Sequence, residues 1–324
     1  MEYMPDFKLH RPDNIEDAVK LRAEEPDALF VAGGTDMIVN VRRGIEQPKH
    51  LIDITAIEEL KSILRDGDGL HIGAGVSLKE LQSNADVLRD YPAVGEAARA
   101  VAGPTHQEYG TVGGNLCLDT RCLFYNQSEW WRQSNDYCLK ERGDTCHVAP
   151  GGKRCFAAFS GDMAPSMLVY GAEIDVAGPN GRRRMPLTDL YRNDGMAHLT
   201  LEAGDMLTAV HLPKALAGSP SRYEKARVRG SIDFPLAGAA VRLEMDGKTV
   251  KDFVVALTAV NPYPQIAKGT DAYVGRELTD EALDEIRELV RKQAKPMRTT
   301  TVAPWYRRRV VGALARRRTE EFAG

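Results

Sequence analysis

The chain has 324 residues, 43% hydrophobic and 27% charged, with 43 Lys+Arg against 46 Asp+Glu for a formal net charge of -3. This is the mixture of a globular chain too long for one small core, and it excludes a fibrous or disordered protein and an overall basic field that would hold nucleic acid. Its longest apolar runs, such as residues 253–260, fall far short of the ~20 residues that span a bilayer, and Met1-Glu-Tyr-Met-Pro-Asp is acidic without an apolar core; no membrane partner, no secretory leader and a cytoplasmic location are therefore expected.

In chain order, Asp13 or Asn14 is placed to cap a helix with Ile15, Ala18 and Val19 on one face. Leu29-Phe-Val-Ala predicts a strand running into Gly33-Gly34-Thr35-Asp36. An amphipathic stretch with Met37, Ile38 and Val41 follows, then a strand at Leu51-Ile-Asp-Ile54, so a small parallel unit is expected. Ser62-Ile-Leu-Arg and Leu70-His-Ile-Gly read as a hairpin around Asp66-Gly-Asp-Gly. Ser77 and Glu80 have capping-box spacing, and an Ala- and Val-rich helix over 92–102 ends at Gly103-Pro104.

Residues 104–161 are different in kind: they hold all five cysteines, Trp130 and Trp131, without sustained periodicity. An irregular stretch of this length is usually functional, and Phe124, Tyr125 and the two tryptophans predict burial rather than disorder. Beyond it, the sequence predicts a helix over 163–170, strands over 173–177 and 182–186 around Pro179-Asn-Gly181, and a strand over 206–212. Residues 213–220 read as a linker. The remainder predicts a meander over 237–245 and 250–260 and helices over 280–294 and 301–318.

Two glycine loops stand out. Ala32-Gly33-Gly34-Thr35-Asp36 follows a strand, and Thr111-Val-Gly-Gly-Asn115 has the same character. Neither matches G-x-G-x-x-G, so a Rossmann dinucleotide fold is not expected. A single Gly-Gly usually marks only a turn, but two such loops flanked by hydroxyl and amide side chains can form a backbone cradle for phosphate oxygens.

These loops, followed by Ser160-Gly-Asp-Met-Ala-Pro165 and by the run from Tyr223 to Phe234, resemble the flavin subunits of the xanthine oxidase family of molybdenum hydroxylases. The resemblance runs over nearly the whole chain. It implies an α+β fold: a two-subdomain FAD-binding domain of the molybdenum hydroxylase flavin-subunit (PCMH-like) type over 1–216, with subdomains at 1–56 and 57–216, then a smaller C-terminal α+β domain with an antiparallel sheet over 217–324. It also implies FAD. Leu29, Phe30, Val31, Ala32, Gly33, Gly34, Thr35 and Asp36 would form the first binding loop, and Thr111, Gly113, Gly114 and Asn115 the second. Asp162 would hydrogen-bond the FAD chain, Val101 and Ala102 would lie near the ring, Leu207 would pack on it, and Lys225 would approach from the C-terminal side. Taken as residues alone, Val101, Ala102 and Leu207 read equally well as core, Asp162 as a helix N-cap and Lys225 as a solvated strand residue.

Relatives pass quickly from the second glycine loop to the aspartate block, whereas here 46 residues separate Asn115 from Asp162. The excess, residues 117–158, carries Cys122, Cys138, Cys146 and Cys155 with 15, 7 and 8 residues between successive thiols. Four thiolates suit a [4Fe–4S] cube or tetrahedral zinc, and this spacing does not choose between them. Cys117 reads as packing near the flavin, and His147 as a surface or supporting group. Beside a flavin, iron makes redox sense, because FAD exchanges two-electron for one-electron steps.

An inserted four-cysteine loop marks the 4-hydroxybenzoyl-CoA reductase branch of that family. The resemblance thus implies an FAD/[4Fe–4S] electron-transfer subunit with no catalytic residue of its own. Its implied partners are a ferredoxin-type donor, a molybdopterin-containing large subunit and a small subunit with two [2Fe–2S] clusters, in a dimer of heterotrimers. Two competing readings stand beside it. One is the flavin subunit of an oxidising hydroxylase of the carbon monoxide, aldehyde or purine dehydrogenase type; the other is a non-catalytic, zinc-stapled nucleotide-binding protein. Finally, Arg307-Arg-Arg309 and Arg316-Arg-Arg318 are expected on a solvated helix face opposite Val302, Tyr306, Val310 and Leu314, with ferredoxin docking as the alternative.

Overall fold

The computed structural model describes residues 4–323, so the first three residues of the segment read for a leader lie outside the described residues. The chain opens with strand β1 (Lys8–His10), helix α1 (Ile15–Glu24), β2 (Ala28–Val31), α2 (Met37–Arg42) and β3 (His50–Asp53). The strands form a parallel sheet in the order β1-β3-β2. Asn14, rather than Asp13, caps α1: its Oδ1 accepts from the Asp17 amide at 2.8 Å. β1 is too short, and too poor in apolar residues, to show a period.

The second layer begins with the hairpin β4 (Ile63–Arg65) and β5 (Gly69–Gly73). Next come the short helices α3 (Leu78–Leu81, capped by Ser77), α4 (Ala85–Asp90) and α5 (Pro92–Ala100). The stretch predicted to be irregular contains α6 (Pro104–Tyr109), α7 (Val112–Leu116) and α8 (Glu129–Ser134) before α9 (Met163–Leu168). α5 ends at Ala100, short of the expected stop at Gly103-Pro104, and Pro104 instead opens α6, where its missing N–H costs nothing. Helices of five or six residues leave no periodicity to detect.

β6 (Glu173–Gly178), β7 (Gly181–Pro186) and β8 (Met206–Pro213) join β4 and β5 in a five-stranded antiparallel sheet ordered β4-β5-β8-β6-β7. Leu70, Ile72, Ile174, Val210 and Leu212 point from it into the largest core, together with Val94, Ala97, Leu116 and Met163 from the helices.

The third layer is β9 (Ser221–Ala226), β10 (Ala237–Asp246), β11 (Thr249–Thr258) and β12 (Gln265–Ile266), antiparallel in the order β12-β11-β10-β9 and backed by α10 (Asp280–Gln293) and α11 (Pro304–Glu320). β9 begins directly after the stretch read as a linker. Tyr223, Ala240 and Ala256 of this sheet belong to the largest core, so α9 is packed from both sides and its start is a fixed point of the molecule. No described helix is long and apolar enough to cross a membrane.

The basic runs on α11 depart from expectation. Arg307 is fully buried and donates to the carbonyls of Leu236, Met297 and Ala259 and to Thr299 Oγ1, while Val311, Leu314 and Ala315 make the apolar face and Tyr306 is exposed. Arg316 pairs with Asp280 and Asp284, and Arg317 and Arg318 both pair with Glu224, so the second run is compensated within the chain.

Candidate functional site

The ends of these layers enclose a cleft of about 450 Å³. Its first wall is the loop leaving β2. A Cβ on Gly33 would overlap the carbonyl of Tyr109 at the end of α6, and Gly34 stands at φ +68°, a conformation that favours glycine. The second wall is the turn into α7. The Thr111 hydroxyl caps it by accepting from the Gly114 amide at 3.1 Å, and a Cβ on Gly113 would lie 2.7 Å from that of Ala74. Asn115 Oδ1 accepts from the Met163 amide at 2.9 Å, tying this turn to the start of α9.

Asp162 occupies the N-cap position of α9 without capping it, because Asn115 does so instead. Its Oδ1 accepts from the Tyr223 hydroxyl at 2.6 Å and its Oδ2 from Lys225 Nζ at 3.0 Å. The two charged side chains are only 4% and 3% exposed, so Lys225 is not the solvated residue its composition suggested. Burial pushes the Asp162 carboxyl up, and Lys225 and Tyr223 oppose it.

The third wall is Val101, Ala102 and the segment 229–234. The Ala102 carbonyl accepts from the Ile232 amide at 2.8 Å while Ala102 itself sits at φ +40°, a strained position for a residue with a side chain.

Of the residues singled out from sequence, Phe30, Val31, Ala32, Gly33, Gly34, Thr35, Asp36, Val101, Ala102, Thr111, Gly114, Asn115, Cys117 and Asp162 line the cleft. Leu29, Gly113, Leu207 and Lys225 do not. Gly113 packs on Ala74, Leu207 is buried in the largest core, and Lys225 reaches the cleft through Asp162. The sequence reading missed Arg121. Its guanidinium pairs with the Asp36 carboxylate and lies 4.6 Å from the Phe234 ring centroid, and burial pushes it down to about 10. A desolvated cation facing two glycine turns suits a pyrophosphate, and Phe30, Val31, Leu78 and Leu118 suit an apolar ring. The residues present fit FAD.

Cys122, Cys138, Cys146 and Cys155 are all buried and none is in a disulfide. Cys122, Cys138 and Cys155 form a small core with Tyr125 and Ala157. The thiols are close enough that charge on one raises the next. Burial, and then Cys138 and Cys146, push Cys122 up to about 11, and burial pushes Cys155 up to about 12. Three sulfurs nonetheless face backbone amides: those of Phe124 and Tyr125 at Cys122, of Lys140 and Glu141 at Cys138, and of Ala157 at Cys155. Amides aimed at sulfur, in a pocket too dry for free thiolates, are what a metal–thiolate centre requires, and the four residues fit one.

Cys117 stands apart: burial alone pushes it up to about 12, and the neutral Tyr191 phenol lies near it. His147 bonds the Tyr137 carbonyl and stacks near Phe124. Trp130, expected inside, is 74% exposed. Arg307, which sequence placed on the surface, is buried close enough to Cys122 to feel its charge.

Comparison with known proteins agrees with this geometry. Residues 5–215 match the model of the FAD binding domain in molybdopterin dehydrogenase, and residues 221–322 that of the CO dehydrogenase flavoprotein C-terminal domain. This chain belongs to the FAD-binding subunits of the molybdopterin dehydrogenases. It is 31% identical over 288 residues to the aldehyde oxidoreductase FAD-binding subunit of Escherichia coli (strain K12), covering 84% of this chain and 87% of that protein. It is 28% identical to the carbon monoxide dehydrogenase medium chain of Hydrogenophaga pseudoflava, covering 86% and 84%. Among solved structures, a crystal structure of Cu,Mo-CO dehydrogenase superposes with a TM-score of 0.81 at 27% identity over 98% of both chains. Family membership makes this an FAD-binding oxidoreductase subunit.

Proposed function

We propose that this chain is an electron-transfer subunit with FAD in the cleft and a [4Fe–4S] cube on the cysteine flap, in an enzyme of the 4-hydroxybenzoyl-CoA reductase type. One observation carries the reading: Arg121 walls the cleft, and the next residue, Cys122, is the first thiol of the flap. Consecutive Cα atoms lie only ~3.8 Å apart, so the two sites share a wall. When bound, FAD supplies exchange between one- and two-electron steps, and an iron–sulfur cube supplies single electrons.

The chain's own residues bind, insulate and tune. The loops at 32–36 and 111–115 would receive the pyrophosphate and ribityl chain, Arg121 would oppose phosphate charge, and Val101 and Ala102 would face the ring. Cys122, Cys138, Cys146 and Cys155 would hold the iron, with Arg307 as a buried cation beside it. A cube is favoured over zinc because a flavin next to it can use single electrons, which zinc does not carry.

In this reading the chain divides into 1–216 and 217–324 and works in the cytoplasm within a dimer of heterotrimers. It takes electrons from a ferredoxin-type donor and delivers them to a small subunit with two [2Fe–2S] clusters. A molybdopterin-containing large subunit then removes the phenolic hydroxyl of 4-hydroxybenzoyl-CoA to give benzoyl-CoA.

The names of the relatives favour a second reading, the flavin subunit of an enzyme that oxidises its substrate, as aldehyde oxidoreductase and carbon monoxide dehydrogenase do by name. The assembled enzyme separates the two. Benzoyl-CoA formed from 4-hydroxybenzoyl-CoA with a reduced donor supports the first; oxidation of carbon monoxide, an aldehyde or a purine, with no benzoyl-CoA, overturns it.

A further inference from the structure

On the five-stranded sheet, Leu70, Ile72, Val210 and Leu212 face the core, and the alternation of a strand turns their neighbours His71 and His211 to the other face. His71 on β5 stands directly across from His211 on β8. Asp175 on β6 is opposite Ala209, one pleat from His211 on the same face. The two imidazoles meet edge to face with centroids 4.8 Å apart, and His211 Nε2 lies 2.6 Å from Asp175 Oδ2. One ligand atom from each of the three lies within 4.8 Å of the others, the one such set among the described residues.

The surroundings are those of a prepared ligand set. Arg184 Nε donates to Asp175 Oδ1 at 2.8 Å and Arg184 Nη2 to Oδ2 at 3.1 Å, which fixes the carboxylate beside the imidazoles. The His71 ring has no hydrogen-bond partner among the described residues, so a ring nitrogen is available. Burial pushes the His71 imidazole down. Burial raises the Asp175 carboxyl, but Arg184 and His211 outweigh it and hold it below the usual range. A neutral imidazole and an anionic carboxylate are thus presented together at neutral pH. The opposing group is Arg184 Nη2, 2.8 Å from His211 Nε2 and 3.1 Å from Asp175 Oδ2, which an entering cation must displace from both; Arg182 and Arg183 also border the hollow but are paired with Glu59 and Asp205. Beside His71 and Asp175 a hollow of about 290 Å³ leaves room for that movement and for water.

We propose that His71, Asp175 and His211 form a binding site for a divalent first-row transition ion, with two imidazoles and one carboxylate as ligands and water in the remaining positions. Imidazole with carboxylate suits Zn²⁺, Fe²⁺ and Co²⁺. The ion would clip β5, β8 and β6 together, and the site shares no residue with the flavin cleft or the thiol flap.

Titration of the full chain with Co²⁺ tests it. Cobalt on thiols carries a sulfur-to-metal charge-transfer band that imidazole and carboxylate lack, so the two kinds of site are read separately. The expected result is one equivalent of cobalt without that band, retained in Cys138→Ser and weakened more than about tenfold in His71→Gln and in His211→Ala. Cobalt should also raise the thermal midpoint of the unsubstituted chain but not that of His71→Gln, because an ion that binds only the folded state stabilises it. No such equivalent in the unsubstituted chain, or one indifferent to both histidine substitutions, overturns the proposal.

Discussion

The flavin cleft and the cysteine flap share a wall but are built in opposite ways. The cleft is a backbone construction: a parallel sheet aims one loop at it, glycines press on the Tyr109 carbonyl and on Ala74, and Asn115 locks the second turn to α9. The flap has one short helix and no named strand between residues 117 and 158, and its core is a few side chains, most of them thiols. Buried charge holds the rest. Arg132 reaches Glu129, Glu141 and the carbonyls of Gly44 and Gln127, while Lys140 reaches Asp119 and Thr120 and lies over the Tyr125 ring. A core that small offsets little of the entropy of ordering such a segment, so in the proposed function ligation of the thiols would become part of the flap's folding energy. The cleft should keep its shape without its cofactor; the flap should not.

The largest expected effect on cofactor content is at Gly33. Gly33→Ala forces the loop or α6 aside, and overpacking of this kind costs about 1–3 kcal/mol or more. FAD content should fall close to zero while iron stays, read from the visible spectrum and metal analysis of one preparation. Undiminished FAD would break the picture of a backbone-built cleft.

Lys225→Met strands the Asp162 carboxylate, and losing one member of a buried pair costs about 3–5 kcal/mol. Calorimetry should show a lower global midpoint and fluorescence a weaker FAD affinity, with the flap unaffected. Arg132→Met is the matching change on the other side, milder at about 3 kcal/mol because Glu129 is partly exposed. Limited proteolysis should then cut first within residues 117–158, with iron lost and FAD kept. Cuts spread evenly over the chain would mean that the flap is not a separate unit of stability.

The thiols sharpen the comparison at smaller cost to the fold. Cys138→Ser should abolish the iron–sulfur absorption, whereas Cys117→Ser, on the cleft wall, should leave it and change stability by less than about 1 kcal/mol. The reverse pattern would exchange their roles.

The smallest effect is in pH. Burial holds the His198 imidazole below 6.5, with Nε2 bonded to the Leu118 carbonyl at 2.9 Å. The unfolded chain therefore takes up this proton first on acidification. The contribution is complete above about pH 6.5 and falls by at most ~1.4 kcal/mol per unit below it, until the folded imidazole also protonates. The thermal midpoint should drop as pH falls below about 6.5, and less so in His198→Gln; a midpoint indifferent to acid would contradict this.

Elements that carry a cap or a turn were legible: Asn14 and Ser77 mark helix starts, and two apolar runs around Asp246-Gly247 give the meander. The glycine loops could be read because left-handed turns and close backbone approach leave a residue signature. Arg121 and Arg307 could not. Each is a charged residue made buried by partners far away in sequence, Asp36 and Phe234 for one, and the carbonyls of Leu236 and Ala259 for the other. Nothing local distinguishes such a residue from a solvated one. The His71–Asp175–His211 set is hidden for the same reason, since only strand register brings the three together.

The most direct test is the content of the purified chain: iron, acid-labile sulfide, zinc and flavin measured on one anaerobic preparation. About four iron and about four sulfide for each FAD is the predicted result. Zinc in place of iron, with FAD present, would contradict it and leave the flap as a staple beside a flavin.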